Sequence, residues 1–503
     1  MDRKINEIII VGGGDSGLIT ALCLQRLNPT MDITVIDDFA ESRSNVGKST
    51  FKPLIHILHQ ILGIDQGRFV RDVRPAFKAS VYFKDWCDRP PFHFPFDLEK
   101  TQPSLLDPHA GEKELFKYHN SFTSEQYRTN NEEMVSQRKT PFYIDEHGRI
   151  DQYSSFAYHL PLGRFSQFLE RIAKERGIAL INDRITSVEW EEEWIERMTG
   201  EEAVYSADLF IDASGFSRVI KSEADSQFVD FHFPLDVAIN AQFDHSISEV
   251  VPATVIETGE CGWFWQIDTP DVRDIGYVYS SNHLSEEGAI EEFHKHVGRD
   301  IPGEQIGTYE FSSGFYESAW EGNHLAIGNA VGFVEPIQST GLTVNAQSAV
   351  ILSVLLASHG RINHQGIRDS YNAFVKTIWK EIYDFVALHY KFAPGENQFW
   401  QDIQSIETSE RLSKIIQEYD TNGLGTTSNP LSYNEQLGNL LLFNLADFYT
   451  IMRSMGVEST FYESNELTVS SEVEAELSEQ YRTMQEEVKN YLTTEQFYSG
   501  ITG

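Results

Sequence analysis

Residues 6–38 read NEIIIVGGGDSGLITALCLQRLNPTMDITVIDD, and this stretch decides the fold. The apolar run that ends at Val11 predicts a buried strand, the glycines after it predict a tight turn, and residues 18–27 predict a helix. Residues 33–37 predict a second strand that ends in an acidic residue. Strand, helix and strand form one βαβ unit, so the sequence predicts an α/β fold with a Rossmann-like nucleotide-binding domain.

The turn carries a complete dinucleotide-binding fingerprint. Gly12, Gly14 and Gly17 have the G-x-G-x-x-G spacing, and an acidic residue follows about 20 residues later, as the fingerprint requires. The first glycine permits the turn, the second lets the backbone approach a diphosphate, and the third allows close helix packing. The helix N-terminus attracts the phosphates. Asp37, or the neighbouring Asp38, is predicted to bind the ribose hydroxyls.

Composition narrows the range of partners. The formal net charge of −36 argues against nucleic acid and against an anionic membrane. The sequence predicts no signal peptide and no apolar run of membrane-spanning length. Three widely separated cysteines, Cys23, Cys87 and Cys261, have no metal-ligand spacing and are typical of a reducing compartment. We therefore expect a soluble cytoplasmic protein without a metal site, and the sequence leaves open whether it forms a homo-oligomer.

The rest of the chain predicts a large core followed by a helical region. Residues 1–345 are predicted to form the core, with a strap and an excursion within residues 39–153 and a β-rich, substrate-side region at residues 230–320. The polar run at residues 123–140 predicts an exposed excursion. Residues 346–503 predict a mainly helical region on the substrate side.

Two further segments identify the dinucleotide. DLFIDASGFSR (residues 208–218) and HLAIGNAVGFVEP (residues 324–336) resemble the second and third cofactor segments of flavoprotein monooxygenases. Simple Rossmann enzymes that use NAD do not carry this pair. The resemblance therefore implies that the cofactor is FAD.

Four other segments resemble flavin-dependent halogenases, above all the tryptophan halogenase branch. They are VGKSTFKP (residues 46–53), AFKASVYFKDW (residues 76–86), GWFWQI (residues 262–267) and GFVEPIQSTGL (residues 332–342). The acidic composition would suit a marine or phage-encoded member. The resemblance implies that reduced FAD, oxygen and a halide ion (chloride, bromide or iodide) yield hypohalous acid. It also implies a separate flavin reductase that supplies the reduced FAD.

The same resemblance assigns roles to individual residues. Lys78 matches the catalytic lysine, which relays the halogen to an electron-rich aromatic substrate such as an indole or a phenol. Thr340 and Gly341 match the halide-binding turn, and Ser339 offers a hydroxyl beside the lysine. Two alternating tryptophans match a wall that keeps organic substrates away from the flavin, and four positions match flavin contacts. The tryptophans are Trp263 and Trp265, and the flavin contacts are Ser49, Ile185, Asn329 and Leu342.

Two of the departures from the family pattern change the charge of a site residue. Gln338 stands where tryptophan halogenases carry a glutamate, and an amide cannot take a proton at neutral pH. Lys48 stands where the family usually carries an acid. Because of Gln338, and because the sequence lacks the helical tyrosine and glutamate pattern that holds the free amino acid in the family, free tryptophan is not the substrate that we expect. Two alternatives stay open, namely an FAD-dependent aromatic hydroxylase and a flavin-binding protein that has lost catalysis.

Overall fold

The computed structural model describes residues 4–39, 48–86, 88–97, 128–153, 155–161, 163–224, 226–359, 365–393, 395–422, 441–461 and 470–502. The chain divides into two compact units. The first unit comprises Met1–Arg74, Leu160–Phe233 and Glu310–Lys380, and the second comprises Pro75–His159, Pro234–Tyr309 and Glu381–Gly503. The predicted domains, residues 1–345 and 346–503, stay a prediction.

The strands and helices of the described residues are numbered in chain order. The strands are β1 (Glu7–Val11), β2 (Asp32–Asp37), β3 (Lys48–Ser49), β4 (Ala76–Lys78), β5 (Ser80–Asp85), β6 (Phe92–Pro95), β7 (Phe142–Ile144), β8 (Ile150–Gln152), β9 (Ala157–Leu160), β10 (Ala179–Asn182), β11 (Ile185–Glu191), β12 (Trp194–Gly200), β13 (Val204–Tyr205), β14 (Leu209–Asp212), β15 (Phe228–Asp230), β16 (Val237–Asp244), β17 (Ala253–Gly259), β18 (Gly262–Asp268), β19 (Val272–Tyr279), β20 (Gly307–Glu310), β21 (Gly314–Tyr316), β22 (Trp320–Glu321), β23 (His324–Ala326) and β24 (Gly332–Phe333). The α-helices are α1 (Asp15–Leu27), α2 (Pro53–His56), α3 (Gln66–Val73), α4 (Asn130–Ser136), α5 (Arg164–Glu175), α6 (Glu286–Val297), α7 (Gly341–His359), α8 (Gln365–Lys391), α9 (Gln398–Gln404), α10 (Glu410–Asn422), α11 (Leu445–Ser454), α12 (Ser471–Lys489) and α13 (Thr494–Thr502).

The first unit contains the predicted βαβ unit at the centre of a six-stranded sheet. The strand order is β10-β2-β1-β14-β23-β22. Neighbouring strands are parallel except β22, which pairs antiparallel with β23. Alternate side chains of the inner strands, among them Ile9, Val11, Ile36 and Phe210, are buried in one apolar cluster. The Rossmann-like prediction is confirmed.

Two of the fingerprint glycines cannot carry a side chain in this geometry. Gly12 has a φ of 106°, and a Cβ there would lie 2.4 Å from the carbonyl oxygen of Ala213. A Cβ on Gly17 would lie 1.9 Å from the carbonyl oxygen of Gly12. The turn after β1 and the start of α1 therefore depend on glycine at both positions.

The second unit is built on a seven-stranded mixed sheet with the order β20-β16-β19-β18-β17-β5-β6. Strands β16, β19, β18 and β17 pair antiparallel in succession, whereas β17 and β5 are parallel. Phe293 of α6 belongs to an apolar cluster with Phe264 and Tyr277 of the sheet. The predicted mixed β region and the helical character of the C-terminal region are both confirmed.

The predicted exposed excursion is wrong for residues 131–135, which are buried. Helix α4 buries Asn131, Met134 and Val135, and the last two share an apolar cluster with Val488 of α12. The polar side chain of Asn131 tolerates burial because its amide donates 2.8 Å hydrogen bonds to the carbonyl oxygens of Ala79 and Ser155. Tertiary hydrogen bonds thus override the polar local pattern. The excursion residues 98–127 lie outside the described residues.

The sequence predicted no apolar run of membrane-spanning length, but helix α7 contains one. Its window Gly341–Ser358 is long and apolar enough to cross a membrane by length and composition, although half of the window is buried inside the protein. The helix buries polar side chains, including Asn345, Ser348 and Ser353. A core helix of a soluble protein passes the same length and composition test.

Candidate functional site

The fingerprint loop leaves open space beside its backbone. A Cβ built on Gly14 would meet no atom within 4 Å. Gly14 is the residue before α1, whose first N–H groups have no partner within the helix. At the end of β2, the Asp37 carboxylate accepts a 2.8 Å hydrogen bond from the N–H of Gly13. The loop therefore combines room for an anion, a helix N-terminus and a fixed acidic residue.

A buried polar atom near this loop tests the fit to FAD. The Asn345 side-chain amide donates a 2.8 Å hydrogen bond to Ser16 Oγ at the start of α1. Its oxygen, Oδ1, is buried and has no hydrogen-bond partner among the described residues. A buried acceptor is normally satisfied by a donor, and the ribityl and ribose hydroxyls of FAD are suitable donors. The residues present therefore fit the cofactor.

The four predicted flavin contacts all belong to the first unit. Ser49 lies in β3, Ile185 begins β11, Asn329 lies in a short 3-10 turn, and Leu342 lies in the first turn of α7. Each of them is half-buried. Such side chains keep surface that a ligand can cover.

The turn before α7 carries the predicted halide site. Ser339 has a left-handed φ of 56°, which is strained for a residue with a side chain. Its N–H donates a 2.8 Å hydrogen bond to the carbonyl oxygen of Pro336, while the carbonyl of Thr340 accepts from the N–H of Val344 at 2.9 Å. Thr340 and Gly341 therefore begin the helix, where N–H groups without intrahelical partners favour an anion. Gln338, which precedes Ser339 in the sequence, is also buried.

Lys78 lies in the second unit, at the end of β4, and its side chain is fully buried. Strand β4 pairs with β9, so that Lys78 lies opposite Ala157. The lysine nitrogen Nζ is 5.3 Å from the centre of the Phe96 ring. Burial lowers the pKa of Lys78 well below its usual value, because the ammonium form loses its hydration.

A buried histidine lies close enough to sense the charge of Lys78. His159 Nδ1 is 3.0 Å from the carbonyl oxygen of Asp268, and its Nε2 is 2.9 Å from Thr254 Oγ1. Because a carbonyl only accepts, Nδ1 carries the proton and Nε2 accepts from the hydroxyl. Burial, and then the positive charge of Lys78, lower the pKa of His159 to about 3. His159 is therefore neutral at physiological pH.

Neither Phe96 nor His159 was predicted from the sequence as a neighbour of Lys78. The alternating phenylalanines at residues 92–96 could have indicated Phe96, because alternation predicts a strand with one buried face. The structure places strand β6 at Phe92–Pro95, directly before Phe96. No local pattern distinguishes His159 from an ordinary core histidine.

Trp263 and Trp265 lie on one face of β18, as their alternation predicts, with ring centres 6.1 Å apart. Both indoles are buried. Trp265 donates a 2.7 Å hydrogen bond from Nε1 to the Asp274 carboxylate. A side chain on Gly276 would collide with the Trp265 ring, since a Cβ there would lie 2.0 Å from it.

The predicted site residues fall into two groups, one in each unit. The fingerprint loop, the flavin contacts and the turn at residues 338–341 belong to the first unit. Lys78 and the two tryptophans belong to the second unit.

Comparison with known proteins gives consistent matches over nearly the whole chain. The tryptophan halogenase family model matches residues 7–468. Tryptophan 7-halogenase RebH from Lentzea aerocolonigenes is 26% identical over 497 residues, which cover 91% of each chain. The flavin-dependent halogenase BrvH from Brevundimonas sp. BAL3 is similar with a TM-score of 0.81 at 24% identity, over 99% of each chain. A tryptophan halogenase from Shewanella frigidimarina has a TM-score of 0.85 at 23% identity, over 99% of this chain and 98% of its own.

The similar solved structures show the fold of this chain, and the match to the family model shows that the chain is a member of the tryptophan halogenase family. They confirm the predicted halogenase and favour it over the aromatic hydroxylase. Flavin-dependent halogenases use reduced FAD and a halide, and they typically need an aromatic substrate and a separate flavin reductase. The chain therefore belongs to the tryptophan halogenase family and is a flavin-dependent halogenase.

Proposed function

We propose that this halogenase delivers the halogen to its aromatic substrate through Lys78. The observation that supports the proposal most is the complete burial of the Lys78 side chain. Lysine is almost never fully buried, because removing an ammonium from water costs several kcal/mol. Buried groups with a strongly shifted pKa are concentrated at functional sites.

A lysine with a lowered pKa can transfer the halogen in two ways. As an ammonium it donates a hydrogen bond to the oxygen of hypohalous acid, HOX, so that Ar–H and HOX give Ar–X and water. The C–X bond forms, the X–O bond breaks, and the ring proton leaves in the water. As an amine it first reacts with HOX to give N–X and water, and the ring then takes the halogen and returns its proton to the nitrogen. Burial lowers the pKa of Lys78, so the amine form is more accessible than it is in an exposed lysine.

The turn at residues 338–341 is proposed to hold the halide. The N–H groups of Thr340 and Gly341 at the start of α7 suit an anion. The Ser339 hydroxyl and the Gln338 amide supply further hydrogen-bond donors for the reaction.

The first unit is proposed to bind FAD. When bound and reduced, FAD supplies, with oxygen, the oxidation that converts the halide to hypohalous acid. The buried Trp263 and Trp265 are proposed to keep organic substrates away from the flavin. The residues assigned to FAD are Gly12, Gly14, Gly17, Asp37, Ser49, Ile185, Asn329 and Leu342.

We expect an electron-rich ring, such as an indole or a phenol, as the substrate. Gln338 cannot take the ring proton, so the ring itself must be activated enough to react without a carboxylate at this position. We further propose a soluble cytoplasmic enzyme that takes reduced FAD from a separate reductase. Its net charge of −36 disfavours nucleic acid and anionic membranes.

The test combines purified protein, FAD, bromide, oxygen and a flavin reductase with indole, phenol or free tryptophan. We expect brominated indole and phenol, less brominated tryptophan, and no product when NADH is supplied without the reductase. Hydroxylated products formed with NADH alone would instead indicate the aromatic hydroxylase. Bound FAD without product from any ring would indicate a protein that has lost catalysis.

A further inference from the structure

An acidic residue is buried at the first position of α1, directly after the fingerprint loop. Asp15 is only 7% exposed. One carboxylate oxygen accepts a 2.5 Å hydrogen bond from Ser166 Oγ, and the other forms an ion pair with Lys48 Nζ. Both oxygens are thus occupied by partners that are distant in sequence.

This carboxylate would oppose the binding of a diphosphate. Asp15 follows Gly14, whose open side is proposed to receive the diphosphate of FAD. Charges in a poorly solvated site interact far more strongly than charges in water, and like charges repel. The α1 N-terminus carries only a partial positive charge, which the carboxylate and the phosphates would have to share.

Lys48 supplies the missing positive charge. Its side chain is 31% exposed, so its ammonium keeps some hydration while it contacts the buried carboxylate. Residue 48 is also a position where the family pattern has an acid, and an acid there would add a second negative charge beside Asp15. The lysine therefore fits this chain's own Asp15.

We propose that Lys48 is a positioning residue for FAD, which neutralises Asp15 and so lets the fingerprint loop accept the cofactor diphosphate. The lysine acts through Asp15 rather than by contact with the flavin. This inference rests on the proposed assignment of the Gly12–Gly17 loop to FAD.

The test is a double-mutant cycle read by the Kd of FAD, measured by flavin fluorescence on protein stripped of cofactor. Lys48→Met should weaken binding at least about tenfold, which corresponds to about 1.4 kcal/mol. Asp15→Asn should leave the Kd within about threefold of wild type. The double variant should regain most of the lost affinity, because contacting residues give non-additive effects. Lys174→Met removes an exposed lysine of the same unit and is the matched control.

Two results would overturn the inference. If Lys48→Met binds FAD as wild type does, the ion pair has no role in cofactor binding. If the double variant is as weak as Lys48→Met, the lysine acts directly on the cofactor and not through Asp15. Should Lys48→Met lose its folded-state melting transition, Lys48→Arg and Lys48→Gln replace it, and only the arginine variant should keep the wild-type Kd.

A separate control distinguishes failure of the loop assignment itself. Gly14→Val should abolish FAD binding whatever residue stands at position 48, because it fills the open side of the loop. If Gly14→Val binds FAD normally, the proposed cofactor loop is wrong, independently of the Lys48 result.

Discussion

Replacing Lys78 by methionine should stabilise the protein increasingly as the pH falls. Burial places the pKa of Lys78 in the folded protein well below the pKa in the unfolded chain. Between these two values the unfolded chain binds one more proton, so the folded protein loses stability as the pH falls through that window. Each pH unit within the window costs the wild type about 1.4 kcal/mol, and methionine, which has no titrating group, does not incur this loss.

The assay is urea unfolding of cofactor-free wild type and Lys78→Met, followed by tryptophan fluorescence. The difference between their unfolding free energies should grow by about 1.4 kcal/mol for each pH unit below about pH 10, until the folded lysine itself becomes protonated. The exposed Lys174→Met should show no such slope. A difference for Lys78→Met that does not change with pH would mean that the folded lysine keeps its usual pKa, and our reading of its environment would be refuted.

Three other variants test the strained turn at Ser339, the buried carboxyl group of Glu132 and the role of Gln338. Ser339→Gly should raise the unfolding free energy by up to about 1 kcal/mol because glycine relieves the left-handed strain at φ 56°, and equal melting temperatures for Ser339→Gly and Ser339→Ala would contradict this. Burial raises the pKa of Glu132 to about 8. As the pH rises, the unfolded chain therefore releases this proton before the folded protein does, and the wild type should lose stability between about pH 5 and pH 8. Glu132→Gln should remove that loss in thermal melts, and parallel pH curves for the two proteins would exclude a protonated Glu132. Gln338→Glu should raise the rate on a weakly activated ring relative to indole, because a carboxylate can accept the ring proton, and an unchanged ratio of rates would remove residue 338 from that step.

The nucleotide-binding half of the fold was predictable because its signals are local. The apolar runs at β1 and β2 and the three glycines follow from short sequence periods and from turn sterics, and the structure shows the same strand, turn and helix. The alternation of Trp263 and Trp265 likewise predicts their common face.

The features that were missed depend on contacts between distant parts of the chain. The pairing of Lys48 with Asp15 joins residues 33 positions apart. The burial of Asn131 depends on carbonyl groups of Ala79 and Ser155, which no local pattern reveals. Propensity and periodicity predict the secondary structure and exposure that a segment prefers on its own. Hydrogen bonds to distant parts of the chain can override that preference, because they satisfy polar groups that become buried.

The most direct test of the central claim is product formation by Lys78→Met loaded with reduced FAD, bromide, oxygen and indole. We expect oxygen consumption and FAD binding within about twofold of wild type, together with a product yield that falls at least about a hundredfold, since the variant lacks only the group that transfers the halogen. Because free hypobromous acid also brominates indole in solution, a reporter dye is present in large excess over indole, and it should intercept the acid that Lys78 does not pass to the ring and be bleached. Brominated indole at the wild-type yield would show that Lys78 does not carry the halogen and would contradict the account.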